Sequence, residues 1–324
     1  MPAKVEISSK TILFTVFFLI FLWVLVQIKE IIFWIFIAFI LMSAIKPAVE
    51  YFEKLRIPRT VSILIIYIFL ILSLIFIISS ILPLFITQSI HLIERLPDYI
   101  RAGLPFIQFD WQLLIQQIAP LGENLVKLTL GLFNNLIALF TIFVISFYLL
   151  LERKNLDSIL SGFMGEEATK KSLEIVKKVE ERLGTWVRGQ ATLAFSIGIM
   201  TFIGLLFLGF PYLLPLALLA GVLEIVPNIG PIISAIPAVL IALTISPTTA
   251  IIVIILYFII HQLENNLIVP IVMKKVVGLP PLVTIIAMLI GAKLAGIGGV
   301  LLAIPAVVLV ETITSEYLKL GEHR

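Results

Sequence analysis

Residues Thr11 to Ile28 run for eighteen positions without a single charge, and nearly all of them are apolar. A helix of that length crosses the roughly 30 Å hydrocarbon core of a bilayer. Further runs stand at Ile31–Ile45, Val61–Ile86 and Leu128–Leu151. Across the chain 60% of residues are hydrophobic and 13% charged, against nearer half and a quarter in a soluble domain. A water-soluble fold could not hide that much apolar surface, so the expected solvent is lipid. The basic start, Met1 to Lys10, resembles the head of a cleaved leader. No small-residue cleavage site follows Ile28, however, and a second apolar run begins at Ile31, so the first run reads as a retained span.

The polar segments between the runs give a topology. Lys and Arg concentrate at the N-terminus, in Lys46–Thr60, in Glu152–Arg188, at Lys274-Lys275 and at Lys319 and Arg324. Basic loops stay in the cytoplasm, which predicts both termini inside and the semi-polar segment 87–128 outside. The net charge of +3 is then a loop property and no sign of nucleic-acid binding. The predicted organisation is three N-terminal helices over 1–86, the outer segment 87–128, a fourth span at 129–151, a cytoplasmic charged helix at 152–190 and a transport domain at 191–324. Within the charged helix Leu173, Val176, Val179, Leu183 and Trp186 recur at helical spacing, one apolar stripe on a charged rod. The stripe suits an oligomerisation or gating arm, or a helix lying on the membrane surface.

After Arg188 the texture changes, because proline and glycine interrupt the apolar runs. Two stretches, about 211–246 and 280–312, align with each other. Pro211 to Gly221 has the spacing of Pro281 to Gly291, and Ala235-Ile-Pro-Ala-Val239 recurs as Ala303-Ile-Pro-Ala-Val307. Gly230 and Gly298 each precede that pentapeptide by five residues. Breaking a helix inside a bilayer frees backbone N–H and C=O groups, tolerated only in protein or beside a cavity. Matched broken segments therefore point to a transporter's binding site. Pro227, Gly230, Pro231, Pro270, Pro281, Gly291, Gly298 and Pro305 are the expected breaks, in hairpins that are either re-entrant or full kinked spans.

Polar side chains cluster at these breaks. Glu224 and Asn228 flank the first, Lys293 precedes the second, and Gln262, Glu264, Asn265 and Asn266 close a long apolar run before Pro270. A charge inside a membrane segment costs roughly 2.5–3.5 kcal/mol, so each is a candidate for the transport pathway unless it snorkels to an interface. On a helix His261 lies four residues from Asn265 and three from Glu264, one face that could carry a coupling proton or hold a polar solute. The chain has no cysteine and three scattered histidines, so neither a thiolate nor a histidine metal site is expected. It has no Gly-x-x-x-x-Gly-Lys-Ser/Thr loop and no visible catalytic constellation, so neither an ATP motor, a cofactor nor an enzyme is predicted.

Five segments occur in order: Trp186-Val-Arg-Gly-Gln190, Val226-Pro-Asn-Ile-Gly-Pro231, Gln262-Leu-Glu-Asn-Asn-Leu-Ile-Val-Pro270, Val277-Gly-Leu-Pro-Pro281 and Gly296-Ile-Gly-Gly-Val-Leu-Leu-Ala-Ile-Pro305. Together they resemble the autoinducer-2 exporter (AI-2E) family, also described as PerM-like permeases of prokaryotes. The resemblance implies a homo-oligomeric inner-membrane transporter, linked in some members to autoinducer-2 export and in others to sodium or lithium efflux against protons.

The expected protein is thus an all-α integral membrane protein of about eight transmembrane segments, with Gly/Pro-broken helical hairpins in its C-terminal half. The expected function is export of a small polar solute by a secondary transporter coupled to an H+ or Na+ gradient. Na+(Li+)/H+ antiport, a passive channel and a non-transporting scaffold are the alternatives. Its expected partners are the lipid bilayer, a small polar solute or monovalent cation, and further copies of itself.

Overall fold

A computed structural model of the chain describes residues 9–76, 79, 81–103, 136–225, 230–273 and 280–322. Every regular element among them is helical. The elements are α1 (Ser9–Gln27), α2 (Lys29–Lys54), α3 (Arg59–Phe76), α4 (Leu82–Gly103), α5 (Leu136–Glu152), α6 (Leu156–Met164), α7 (Glu166–Phe207), α8 (Leu213–Leu223), α9 (Gly230–Ile245), α10 (Pro247–Leu263), a π-helical turn (Glu264–Ile268), α11 (Val269–Val272) and α12 (Pro281–Glu322). Six helices among the described residues are long and apolar enough to span a membrane, and four shorter apolar helices accompany them. The outside of the bundle is apolar: Phe69, Phe195 and Phe207 are all exposed. In water such a surface would aggregate, whereas against acyl chains it is at rest.

The expected helix limits shift in two places, at Lys46–Thr60 and at Glu152–Arg188. Over the run Val61–Ile86 the described residues are helical, with α3 to Phe76, Ser79 and Ile81 in π geometry, and α4 from Leu82. The polar segment Lys46–Thr60 is mostly helix, because α2 runs on to Lys54. The charged stretch Glu152–Arg188 is no separate surface helix. Its stripe belongs to α7, a single helix of 42 residues, about 63 Å long, that continues into the bundle. Val179, Leu183 and Trp186 are buried against Ile40 of α2 and Met288, Ala303, Ile304 and Val308 of α12.

α7 is the spine, packed against α2, α6, α8, α10 and α12. Its charged end is tied to its neighbours by buried charge. Glu180, 2% exposed, accepts from Lys46 Nζ of α2 at 2.6 Å and from Arg153 Nε at 2.5 Å. Further along, Arg188 Nη1 donates to the Ser43 and Ala44 carbonyls at 3.3 and 3.2 Å. Pro47 lies four residues after Ser43 inside α2. It has no N–H, so the Ser43 carbonyl loses its helical donor and Arg188 replaces it.

The two aligned stretches are both helix–break–helix units. The first opens at a sharp reversal, with Gly209 at φ 61° and Tyr212 at φ 58°, and consists of α8 and α9. With 11 and 16 residues these helices reach about 16 and 24 Å, too short to cross alone, and they pack against each other. The second is α12, which kinks at Ala295 and Gly296. Both hairpins close at backbone-to-backbone contacts that only glycine permits. A Cβ on Gly230 would stand 2.0 Å from the Leu223 carbonyl oxygen, and one on Gly299 would stand 1.9 Å from that of Gly291. Gly298 lies under the Phe33 ring, Pro281 opens α12, and Pro305 sits inside its second arm.

Gly299→Ala should push the two arms of α12 apart and cost on the order of 1–3 kcal/mol, read as a lower melting temperature in detergent. Gly162→Ala, with open space around its Cβ position, is the neutral control. Glu180→Ala should cost about 3 kcal/mol, the low end for breaking a buried pair, because Lys46 and Arg153 keep a rim to solvent. A melting temperature unchanged from wild type would contradict the role given to Glu180.

Candidate functional site

Glu224 is the residue at which α8 ends, and Glu264 is the first residue of the π turn after α10. They are forty residues apart in sequence and belong to different parts of the repeat. The fold brings them together: both are buried, 3% and 5% exposed, and close enough for each carboxyl to feel the other's charge. Two ionised carboxylates so placed would repel, with little water to screen them. The Glu224 Oε2 oxygen has no hydrogen-bond partner among the described residues.

Each side of the pair is held by local backbone structure. α10 starts on a strong cap, with the Ser246 side chain accepting from the Thr249 N–H at 3.0 Å and Pro247 in the first turn. It then runs apolar to His261, and beyond Leu263 the five-residue turn Glu264–Ile268 widens it. A π turn inserts an extra residue and re-aims the side chains beyond it, a device common at functional sites. Here Glu264 points inward while Gln262, Asn265 and Asn266 are exposed. His261 Nδ1 lies 3.4 Å from Glu264 Oε2, and Asn265 Nδ2 lies 3.0 Å from His261 Nε2. With Nε2 accepting from Asn265, the ring proton sits on Nδ1 and faces the carboxyl; this tautomer is assigned from the network.

On the other side, Gln190 of α7 donates from Nε2 to the Glu224 main-chain carbonyl at 2.9 Å, in a fully buried contact. That carbonyl is one of those a helix end leaves without a partner. Gln190 thus ties the spine to the first break beside the carboxyl pair. It was legible only as part of the Trp186–Gln190 segment, because a lone glutamine in an apolar helix does not say what it caps.

The expected site is therefore partly assembled. Glu264 and Glu224 meet, and Asn265 joins them through His261. Gln262 and Asn266 lie on the outer face, Lys293 is exposed on the first arm of α12, and Pro270 is exposed in α11. Asn228 and Pro227 lie outside the described residues. Gly230 and Pro231 open α9 directly after the break, and Gly291 faces Gly299 in the second hairpin. A concavity of about 720 Å³ lies elsewhere, between Phe33 and Phe36 of α2 and the two arms of α12. Its lining is almost wholly apolar and offers little to a charged or polar solute.

A bundle of apolar helices, two of its units broken within apolar stretches, with paired carboxyls at one break, has the architecture of a multi-pass membrane transport protein. The AI-2E family transporter profile matches residues 12–319, and the chain belongs to that family. It is 32% identical over 321 residues to the Bacillus subtilis (strain 168) chain named "Putative transport protein YueF", covering 91% of this chain and 86% of that one. YrrI and YtvI of the same organism carry the same description. They are 27% identical over 304 residues and 26% over 317, covering 88% and 85% of this chain and 85% and 84% of their own.

Gln190→Leu should leave the Glu224 carbonyl buried without its donor and cost about 1–3 kcal/mol, measured as thermal unfolding in detergent. An unchanged melting temperature would count against Gln190 as the cap of α8.

Proposed function

We propose that this protein is a secondary transporter that exports a small polar solute of autoinducer-2 chemistry, driven by proton entry through the Glu224–Glu264 pair. The observation that carries this reading is the juxtaposition of two buried carboxyls at a helix break. Such a pair works as a one-proton device. With a shared proton it is a neutralised contact that holds α8 to the π turn. Without it the two charges repel inside a low-dielectric interior and drive the break and the turn apart. Protonation thereby selects between two arrangements of the first hairpin, which is what coupling an ion to alternating access requires.

A second reading is Na+(Li+)/H+ antiport, favoured by the unpartnered Glu224 Oε2. Once the proton leaves, the paired oxygens offer a hard, anionic site to a monovalent cation, so proton and cation would exclude each other. In both readings the protein works as a homo-oligomer in the inner membrane of a prokaryote, with both termini in the cytoplasm. The oligomer follows from the family resemblance and the orientation from the distribution of lysine and arginine.

The test is flux in sealed proteoliposomes under an imposed pH gradient, with autoinducer-2 and, separately, sodium or lithium. Wild type should move one of them against its gradient, and Glu264→Gln and Glu224→Gln should each lower coupled flux at least tenfold. The amide matches the carboxyl in size and shape, so folding is preserved while the titration is lost. Downhill leak without accumulation would indicate a passive channel, and no flux in any protein would favour a scaffold. Equal coupled flux in wild type and both variants would remove the carboxyl pair from the mechanism.

A further inference from the structure

The interior of the bundle is layered, and the layers can be placed by register. α7 and α10 run antiparallel: Ile197 meets Ile260 in one buried cluster, and Gly204 lies against Leu256. The cluster of Ile197, Ala220 and Ile260 is the first apolar layer beside the carboxyl pair. Ala220 precedes Glu224 by one turn, and Ile260 precedes Glu264 by one turn. The next residue inward on α7 is Thr201, one turn beyond Ile197 and one before Leu205. On α10 it is Tyr257, one turn before Ile260. Thr201 and Tyr257 therefore stand at one level, on neighbouring helices, on the far side of the apolar layer from the carboxyls.

Both carry buried hydroxyls without a partner among the described residues. Thr201 is 0% exposed and Tyr257 8%, and neither Thr201 Oγ1 nor the Tyr257 hydroxyl is hydrogen-bonded. Each is unusual beside its own kind in this chain. Thr15, Thr141, Thr169 and Thr192 turn their hydroxyls back onto the carbonyl four residues earlier, the ordinary solution in a helix. Buried Tyr67 donates to Ser146 Oγ at 2.7 Å. A third unpartnered atom, Gln88 Oε1, lies on α4 one turn before Leu92, which packs in the same cluster as Tyr257. A buried hydroxyl left without a partner costs about 1–3 kcal/mol, so these groups are expected to be satisfied by something other than the atoms of the described residues.

We propose that Thr201 and Tyr257 form a water-binding site inside the bundle, a second polar station separated from Glu224 and Glu264 by the single apolar layer of Ile197, Ala220 and Ile260. Water fits the chemistry, because it both donates and accepts, while threonine and tyrosine hydroxyls are neutral and do the same. The station receives protons on their way to or from the carboxyl pair, and the layer between them is the gate. This role rests on the proton-coupled reading above, but the hydration of the site does not.

The natural chain has no cysteine, so single substitutions report cleanly. In proteoliposomes, Thr201→Cys and Tyr257→Cys should react with a water-soluble methanethiosulfonate ammonium reagent at least tenfold faster than Val222→Cys. Val222 is exposed on the apolar outer face and serves as the lipid-facing control. Adding Ile260→Ala to Thr201→Cys should raise its rate a further several-fold by thinning the gate. The isosteric pair Thr201→Val/Tyr257→Phe should fold as well as wild type, since it removes only unpartnered oxygens, and should lower pH-gradient-driven proton flux at least tenfold. Modification of Thr201→Cys and Tyr257→Cys no faster than Val222→Cys would overturn the proposal, as would a folded double variant with wild-type flux. If Glu264→Gln leaves flux intact while Thr201→Cys and Tyr257→Cys remain reactive, the carboxyl mechanism fails and the water site stands.

Discussion

A backbone amide in hydrocarbon has no water to fall back on, and most of this architecture derives from that constraint. A chain that breaks its helices at membrane depth must hide the freed groups inside protein. The first hairpin does so by lying against the spine α7, whose Gln190 supplies a donor to the last carbonyl of α8. The proline in α2 leaves the Ser43 carbonyl in the same position, and Arg188 of the same spine satisfies it. One long helix thus serves both as a packing surface and as a source of polar caps, which explains why its sequence divides into a charged end and an apolar end.

The carboxyl pair sits where this arrangement is least rigid. Glu224 ends a helix and Glu264 begins a π turn, so neither is locked by a regular ladder on both sides. Their juxtaposition sets a break beside a bulge, with two buried carboxyl groups at the joint. An ion pair such as Glu180 with Lys46 and Arg153 behaves differently. It carries its counter-charges with it and holds the charged end of α7 as a fixed anchor.

Much of the fold was legible in the residues. The apolar runs, the aligned Gly/Pro interruptions and the candidacy of Glu224 and Glu264 come from composition and spacing, because hydrocarbon penalises charge and broken backbone wherever they occur. The continuation of α2 through Lys46–Lys54 was not, since its proline and charges read as a loop. Nor was the fate of the stripe on α7. Periodicity says that Val179, Leu183 and Trp186 share a face, but not whether lipid, another copy or the bundle covers it. The exposure of Asn266 was hidden for a geometric reason. Four-residue spacing assumes an α-helix, and Asn266 lies inside the π turn Glu264–Ile268, out of that register.

By itself, then, the sequence determined the solvent, the helical class, the two broken repeats and the short set of polar residues that the bilayer would not tolerate without purpose. These are local consequences of transfer energies and backbone chemistry. Only the tertiary structure decided which of those residues meet. That Glu224 and Glu264 lie side by side, that Gln190 caps the first break, and that Thr201 and Tyr257 stand level behind an apolar layer all depend on how helices distant in sequence pack. Such register is set by side-chain fit over the whole bundle, and no window of sequence contains it.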